Sequence, residues 1–291
     1  MMQVSPRVLK TIKQIEITTR RMLNGSLVGD SRSALKGSGF EFDQIREYQQ
    51  GDDVRFIDWR ATARADKFLV KQYIEERNRT VLIAVDCSAS SFYGSSELSR
   101  YERMAQVASV LALAADYGKD QTALMLFTDE VELFIPAGKG QSHVRVLIEA
   151  LFTHSPRSRK TRLSAVFKRA AQLKRADTIL IIISDFIDEG YDREIAVLAH
   201  RYDVVAIQCC EACEKVFPSC GFVTMCDSET GQEVCFDARR GQRAALNAFL
   251  CERDDKMQRL FRKLHIDSLQ LSSDEEFWYT LITFFRRRMS Y

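Results

Sequence analysis

From residue 80 onward two hydrophobic rhythms alternate along the chain. Residues 80–85 are almost unbroken apolar sequence, and the segment carrying Met104, Val107, Ala108, Leu111 and Ala115 then repeats at helical spacing until Gly118 stops it. The same alternation returns further on. Residues 122–127 and 131–135 predict two strands around Thr128-Asp129-Glu130, helices are predicted near 141–153 and 162–174, and an apolar run at 178–183 predicts a buried strand. A helix near 192–201 then leads into a strand at 204–208. Strands that are apolar on both faces need cover on both sides, and strands separated by helices run in parallel. The pattern therefore predicts an α/β fold with a doubly wound, mostly parallel sheet.

The flanks read differently. Ser5-Pro6 supplies a hydroxyl cap and a proline whose missing N–H costs nothing at a helix start, and Val8, Ile12, Ile15, Thr19 and Met22 follow at helical spacing. An amphipathic helix is predicted over 5–23, and the Gly, Ser, Asp and Lys of residues 24–39 predict a linker. Residues 40–79 are dense in charge but carry enough aromatic and aliphatic side chains to predict a folded segment with short strands. Beyond the sheet, residues 222–225 and 233–236 bracket Asp227-Ser228-Glu229-Thr230-Gly231 as a hairpin, and 239–263 and 274–288 predict helices. The expected division is 1–39, 40–79, 80–215 and 216–291.

Composition removes several classes of function. The 291 residues are 46% hydrophobic and 28% charged, which fits a packed globular chain. The 42 basic and 40 acidic residues nearly cancel, so charge does not argue for a nucleic-acid or membrane partner. No apolar run approaches the ~20 residues of a membrane helix, and residues 1–23 are interrupted by charge, so the expected location is the cytoplasm. Eight cysteines then read as reduced thiols or metal ligands before disulfides. There is no phosphate-binding G-x-x-x-x-G-K-[ST], no G-x-G-x-x-G, no G-x-S-x-G elbow and no H-E-x-x-H. An enzyme is not expected.

The candidate chemistry sits where the first sheet strand ends, at Asp86-Cys87-Ser88-Ala89-Ser90. Ligands of open α/β sheets bind at the carboxyl ends of strands, and an acid with two hydroxyls suits Mg²⁺ or Mn²⁺, which take oxygen donors and retain waters. The second buried run ends in Ser184-Asp185, and Thr161 precedes the helix before it. The order Asp, Ser, Ser, Thr, Asp resembles the metal-ion-dependent adhesion site of von Willebrand factor type A domains. Upstream, Gly51-Asp52-Asp53-Val54-Arg55-Phe56-Ile57-Asp58-Trp59-Arg60-Ala61-Thr62-Ala63-Arg64 and Lys71-Gln72-Tyr73 resemble the bacterial domain-of-unknown-function family 58, which sets such a segment ahead of a von Willebrand type A fold.

The resemblance covers residues 36–240 and implies a von Willebrand type A-like, Rossmann-like domain. Asp86, Ser88, Ser90, Thr161 and Asp185 are the implied metal site, the hydroxyls as direct ligands and the acids acting through water. It also implies a non-enzymatic interaction module that works with a MoxR-type AAA+ ATPase and a client protein. The alternative is a metal-dependent hydrolase using the same acids. Arg162 departs from the family pattern and would oppose a cation if it pointed inward.

Three further groups have bland and functional readings. Asp52, Asp53 and Asp58 with Arg55, Arg60 and Arg64 form either a structural charge network or a partner surface anchored on Asp58, Trp59, Arg60 and Arg64. Trp59 is expected to be buried, holding this segment against the sheet domain. Cys209, Cys210, Cys213, Cys220, Cys226 and Cys235 lack the paired spacing of a zinc site and are expected to be small buried thiols. Arg286-Arg287-Arg288 is expected to be a solvated helix end rather than a nucleic-acid contact.

Overall fold

The computed structural model describes residues 40–49, 52–65, 67–75, 79–94, 98–173, 177–215, 217 and 221–289, together with 13, 15 and 17–19. The predicted linker and most of the predicted N-terminal helix lie outside these residues. Residues 13, 15 and 17–19 are helical, with Ile15 and Thr19 buried.

In chain order the strands are β1 (Phe40–Glu47), β2 (Leu69–Glu75), β3 (Thr80–Asp86), β4 (Gln121–Phe127), β5 (Val131–Gly138), β6 (Thr178–Ser184), β7 (Asp203–Cys210), β8 (Phe222–Cys226), β9 (Glu233–Asp237) and β10 (Asp267–Ser272). Six of them form one sheet in the order β10-β7-β6-β3-β4-β5. All neighbours are parallel except β4 and β5, which run antiparallel. The fold is thus mixed α/β, with a mostly parallel sheet flanked by helices.

Every residue of β3 is buried because both faces are covered. Val81, Ile83 and Val85 face a layer containing helices Arg100–Tyr117, Gln141–Thr153 and Phe277–Met289. Leu82 and Ala84 face Leu163–Ala171, Asp192–Arg201 and the end of Arg240–Lys263. The chain leaves β3 for β4 on one side and returns to β6 on the other, so the ends of β3 and β6 flank the point where the winding reverses.

Boundaries follow local chemistry. Ser99 and Glu102 form a reciprocal capping box at the start of Arg100–Tyr117. The helix does end at Gly118, but this glycine keeps right-handed geometry, and Lys119 takes the positive φ of 62°.

The strand β10 was not predicted. Its sequence offers only Leu269 and Leu271 as apolar positions, too few to distinguish it from a loop between two helices. Parallel pairing along β7, from Asp267 with Val205 to Ser272 with Cys210, makes it a strand. It comes from the segment read as hairpin and C-terminal helices, and it completes the central sheet.

The charged N-terminal segment is built on an antiparallel β1–β2 pair. Between the strands, Asp58 caps the single turn Trp59–Thr62, its carboxylate accepting from the N–H groups of Arg60 and Ala61. The expected burial of Trp59 is corrected: the side chain is 64% exposed and meets the edge of Phe68, itself 58% exposed. A one-turn helix without a buried residue has no inward face on which to seat an indole. The expected acid–arginine pairing survives at Asp53–Arg55 (2.7 Å), whereas Asp52 pairs with Arg46 (2.7 Å) and Asp58 with Lys71 (3.3 Å). Arg60 and Arg64 are exposed.

Candidate functional site

Residues Val85 and Ile183 are paired across β3 and β6, so the two strands end side by side and deliver Asp86 and Ser184-Asp185 to one place. Asp86 is fully buried. One of its oxygens accepts the Ser88 N–H (2.9 Å) and the other the Ser184 hydroxyl (2.7 Å). The Ser88 and Ser90 hydroxyls lie 3.1 Å apart, and Ser90 donates to Asp185 Oδ2 (3.1 Å). The other oxygen of Asp185 accepts the Ile187 N–H (3.0 Å). Four of the five residues singled out in the sequence therefore share one hydrogen-bonded network.

The fifth, Thr161, lies on an adjoining loop whose Arg159 carbonyl accepts the Ala89 N–H (3.1 Å). Its hydroxyl and its N–H both donate to Glu229, at 2.6 and 3.2 Å. Arg162 is exposed, so its side chain does not set a cation into the site. Two acids hold this loop in place. Glu132 accepts from the N–H groups of Arg157 (2.9 Å) and Ser158 (3.1 Å), from Thr128 Oγ1 (2.9 Å) and from His154 Nε2 (3.0 Å). Asp188 accepts the Leu163 N–H (2.7 Å) where the next helix begins.

The electrostatics follow from burial. Removal from water, and secondarily the neighbouring Asp185, push the Asp86 carboxyl up from its ordinary value to about 7, while the hydrogen bonds from Ser88 and Ser184 pull it down. Buried Arg100 donates to Asp185 Oδ2 (2.5 Å) and also to Glu214. Burial alone would lower the guanidinium pKa, but the facing Asp185, Glu214 and Glu211 outweigh it and raise it. Three carboxylates, those of Asp185, Glu214 and Glu211, thus act on the Arg100 guanidinium, with buried Arg103 in the same helix turn. Two aspartates beside two serine hydroxyls at strand ends are oxygen donors of the kind that a hard divalent cation takes.

Arg100, Ser184, Glu214, Glu132 and Glu229 were missed as functional residues. Arg100 looks like any helical arginine, and only its place in the first turn over the strand ends gives it a role. Glu229 was visible as the middle of a hairpin turn, but the turn's direction was not.

A second cluster, Cys87, Glu132 and His154, gathers potential ligand atoms within 4.8 Å of one another. Glu132 is already engaged by the loop donors above, and the Cys87 thiol donates to the Phe127 carbonyl (3.1 Å) and is raised in pKa, first by burial. This cluster is a clamp on the 154–158 loop. Of the other cysteines, Cys209 and Cys210 are buried as expected, whereas Cys226 and Cys235 are exposed because the β8–β9 pair stands apart from the main sheet. The last basic run is partly engaged, Arg288 pairing with Asp203 and with Asp267 (2.7 Å). No helix among the described residues is long and apolar enough to cross a membrane.

Among known proteins, the chain is 27% identical over 229 residues to uncharacterised proteins of Mycobacterium tuberculosis and Mycobacterium bovis, covering 78% of this chain and 72% of each relative. The conserved hypothetical protein BatB from Bacteroides thetaiotaomicron superimposes with a TM-score of 0.48 at 15% identity, over 73% of this chain and 98% of that one. The family described as "Protein of unknown function DUF58" matches residues 44–255, a span that takes in both strand ends, the Thr161 loop and the hairpin turn, and the chain belongs to that family.

Proposed function

We propose that this chain is a divalent-cation-dependent protein-interaction module with a von Willebrand type A-like core, acting in the cytoplasm beside a MoxR-type AAA+ ATPase. The observation that carries the reading is the joining of Asp86, Ser88, Ser90 and Asp185 at the reversal of the sheet. In this reading Ser88, Ser90 and Thr161 hold Mg²⁺ or Mn²⁺ directly and the two aspartates hold it through water. The bound ion supplies a coordination position for a carboxylate of another protein.

The chain's own residues favour binding over hydrolysis. A hydrolase needs a general base free of the cation, and in this reading Asp86 and Asp185 are both committed to holding it. A nucleotide-driven partner also suits a chain without a phosphate-binding loop. Exposed Trp59, Arg60 and Arg64, with Asp58 shaping their turn, form a second candidate contact for that partner.

Calorimetric titration with Mn²⁺ tests the site, and capture of a MoxR-type ATPase with and without chelator tests its use. Binding at one site that Asp86→Ala abolishes, with capture weakened by chelator and by Ser88→Ala, is the expected result. Equal metal uptake by wild type and Asp86→Ala overturns the site. Capture indifferent to chelator moves the interface to the Asp58–Arg64 turn.

A further inference from the structure

The β8–β9 hairpin forms its own two-stranded sheet, and most of its side chains are exposed. Its base is anchored: the Ala238 N–H donates to the Gly221 carbonyl (2.9 Å), and Phe236 lies 5.4 Å from Phe217. Its tip is unusually well fixed for an exposed turn. Asp227 accepts from the N–H groups of Glu229 (2.9 Å) and Thr230 (3.4 Å) and from the Thr230 hydroxyl (2.6 Å). Gly231, with φ of 73°, closes the turn onto the Asp227 carbonyl (2.8 Å). The turn therefore presents Glu229 in one direction, and both of its oxygens meet Thr161.

We propose that Glu229 is a built-in carboxylate ligand of the strand-end cation site, supplied across the fold by the hairpin. The inference rests on the proposed metal-binding reading of that site. Thr161 is the hydroxyl donor that the Asp86–Asp185 network does not engage, and Glu229 lies in direct hydrogen-bonding contact with it. A carboxylate held against a ligand hydroxyl is a hard donor of the kind Mg²⁺ and Mn²⁺ select. Arg100 pairs with Asp185, and Glu229 brings a further carboxylate to Thr161 from the hairpin. Cation binding then ties the hairpin down to the sheet domain, and an outside acid takes a further position that the ion otherwise fills with water.

The test uses the full chain and Mn²⁺ alone, with two readouts. Calorimetry gives the affinity of wild type, Glu229→Gln and Asp86→Ala, and amide hydrogen exchange follows residues 222–237 with and without Mn²⁺. The expected result is binding weakened on the order of 10–100-fold in Glu229→Gln, with Mn²⁺ slowing hairpin exchange in wild type but not in the variant. Glu229 lies in a surface turn, so the variant should melt with wild type, and the measurement does not depend on a refolded core. Wild-type binding that Glu229→Gln leaves unchanged, without hairpin protection, overturns the role of Glu229 while leaving the site intact. Failure of wild type to bind Mn²⁺ any better than Asp86→Ala overturns both readings.

Discussion

At the scale of single residues, Asp86 carries a cost built into the site. Its carboxyl is held at the end of a buried strand, beside Asp185, and takes up a proton at a pH well above that of an exposed aspartate. Between the unfolded and folded values the folded chain holds a proton that the unfolded chain has released. Stability is therefore greatest at and below the unfolded value and falls as pH rises through the folded one. Asp86→Asn keeps an acceptor for the Ser88 N–H and a partner for Ser184 while removing the charge. In chelator-containing buffer it should melt above wild type at pH 8, with the gap closing toward pH 4, each ~1 kcal/mol recovered appearing as about 2–4 °C. A variant that melts below wild type at pH 8 would mean that the negative charge is compensated. Saturating Mn²⁺ should raise the wild-type melt and leave Asp86→Asn unmoved, because the cation meets the charge that the variant lacks.

Among the elements, the helix Arg100–Tyr117 links the site to the rest of the fold through its first turn. Arg100 reaches Asp185 and Glu214, and Arg103 donates to the carbonyls of Ser272 and Ser273 at 2.8 Å. Removing one partner of a buried ion pair strands the other, so Arg100→Ala should cost about 3–5 kcal/mol in chemical denaturation. A loss below ~1 kcal/mol would show that water or Arg103 replaces the guanidinium. Trp59→Ala belongs at the other extreme. An exposed side chain away from caps and core changes stability by ~0.5 kcal/mol or less, so its melt should match wild type, and reduced ATPase capture by the variant would mark the turn as a contact. The elements legible in the sequence were those whose pattern is set by their own burial. The apolar runs of β3 and β6 and the periodic face of Arg100–Tyr117 could be read residue by residue, and the strand-end position of Asp86 and Asp185 followed from them. What was not legible depends on partners far along the chain. The two leucines of β10 acquire meaning from β7, Arg100 from Asp185, and Glu229 from a threonine 68 residues earlier. Trp59 was misread because an aromatic residue amid charges suggests a buried anchor, whereas Asp58 is spent on capping a turn with no interior.

On the scale of the whole molecule, the C-terminal segment completes the central sheet. β10 pairs with β7 from residue 205 to 210, and Leu269, Leu271, Phe277 and Leu281 join the same core cluster as Val81, Ile83 and Val85. A chain truncated after Lys263 loses that apolar contribution, worth about 1.5–3 kcal/mol for each buried side chain of this size, and leaves the hydrogen-bonding edge of β7 open. It also takes away Ser272 and Ser273, whose carbonyls are the acceptors for buried Arg103. These losses together are of the same size as the ~5–15 kcal/mol by which domains are ordinarily stable. The truncated chain should therefore be insoluble or lack a cooperative melt, and because Arg100 and Arg103 share one turn, it should also lose Mn²⁺ binding. A soluble truncation that melts cooperatively near the full-length temperature and still binds Mn²⁺ would show that β3 to β7 fold and form the site without their last strand. Were it to melt cooperatively but bind no Mn²⁺, the C-terminal strand would be supporting the site through Arg103 and the first turn of its helix rather than through the stability of the sheet.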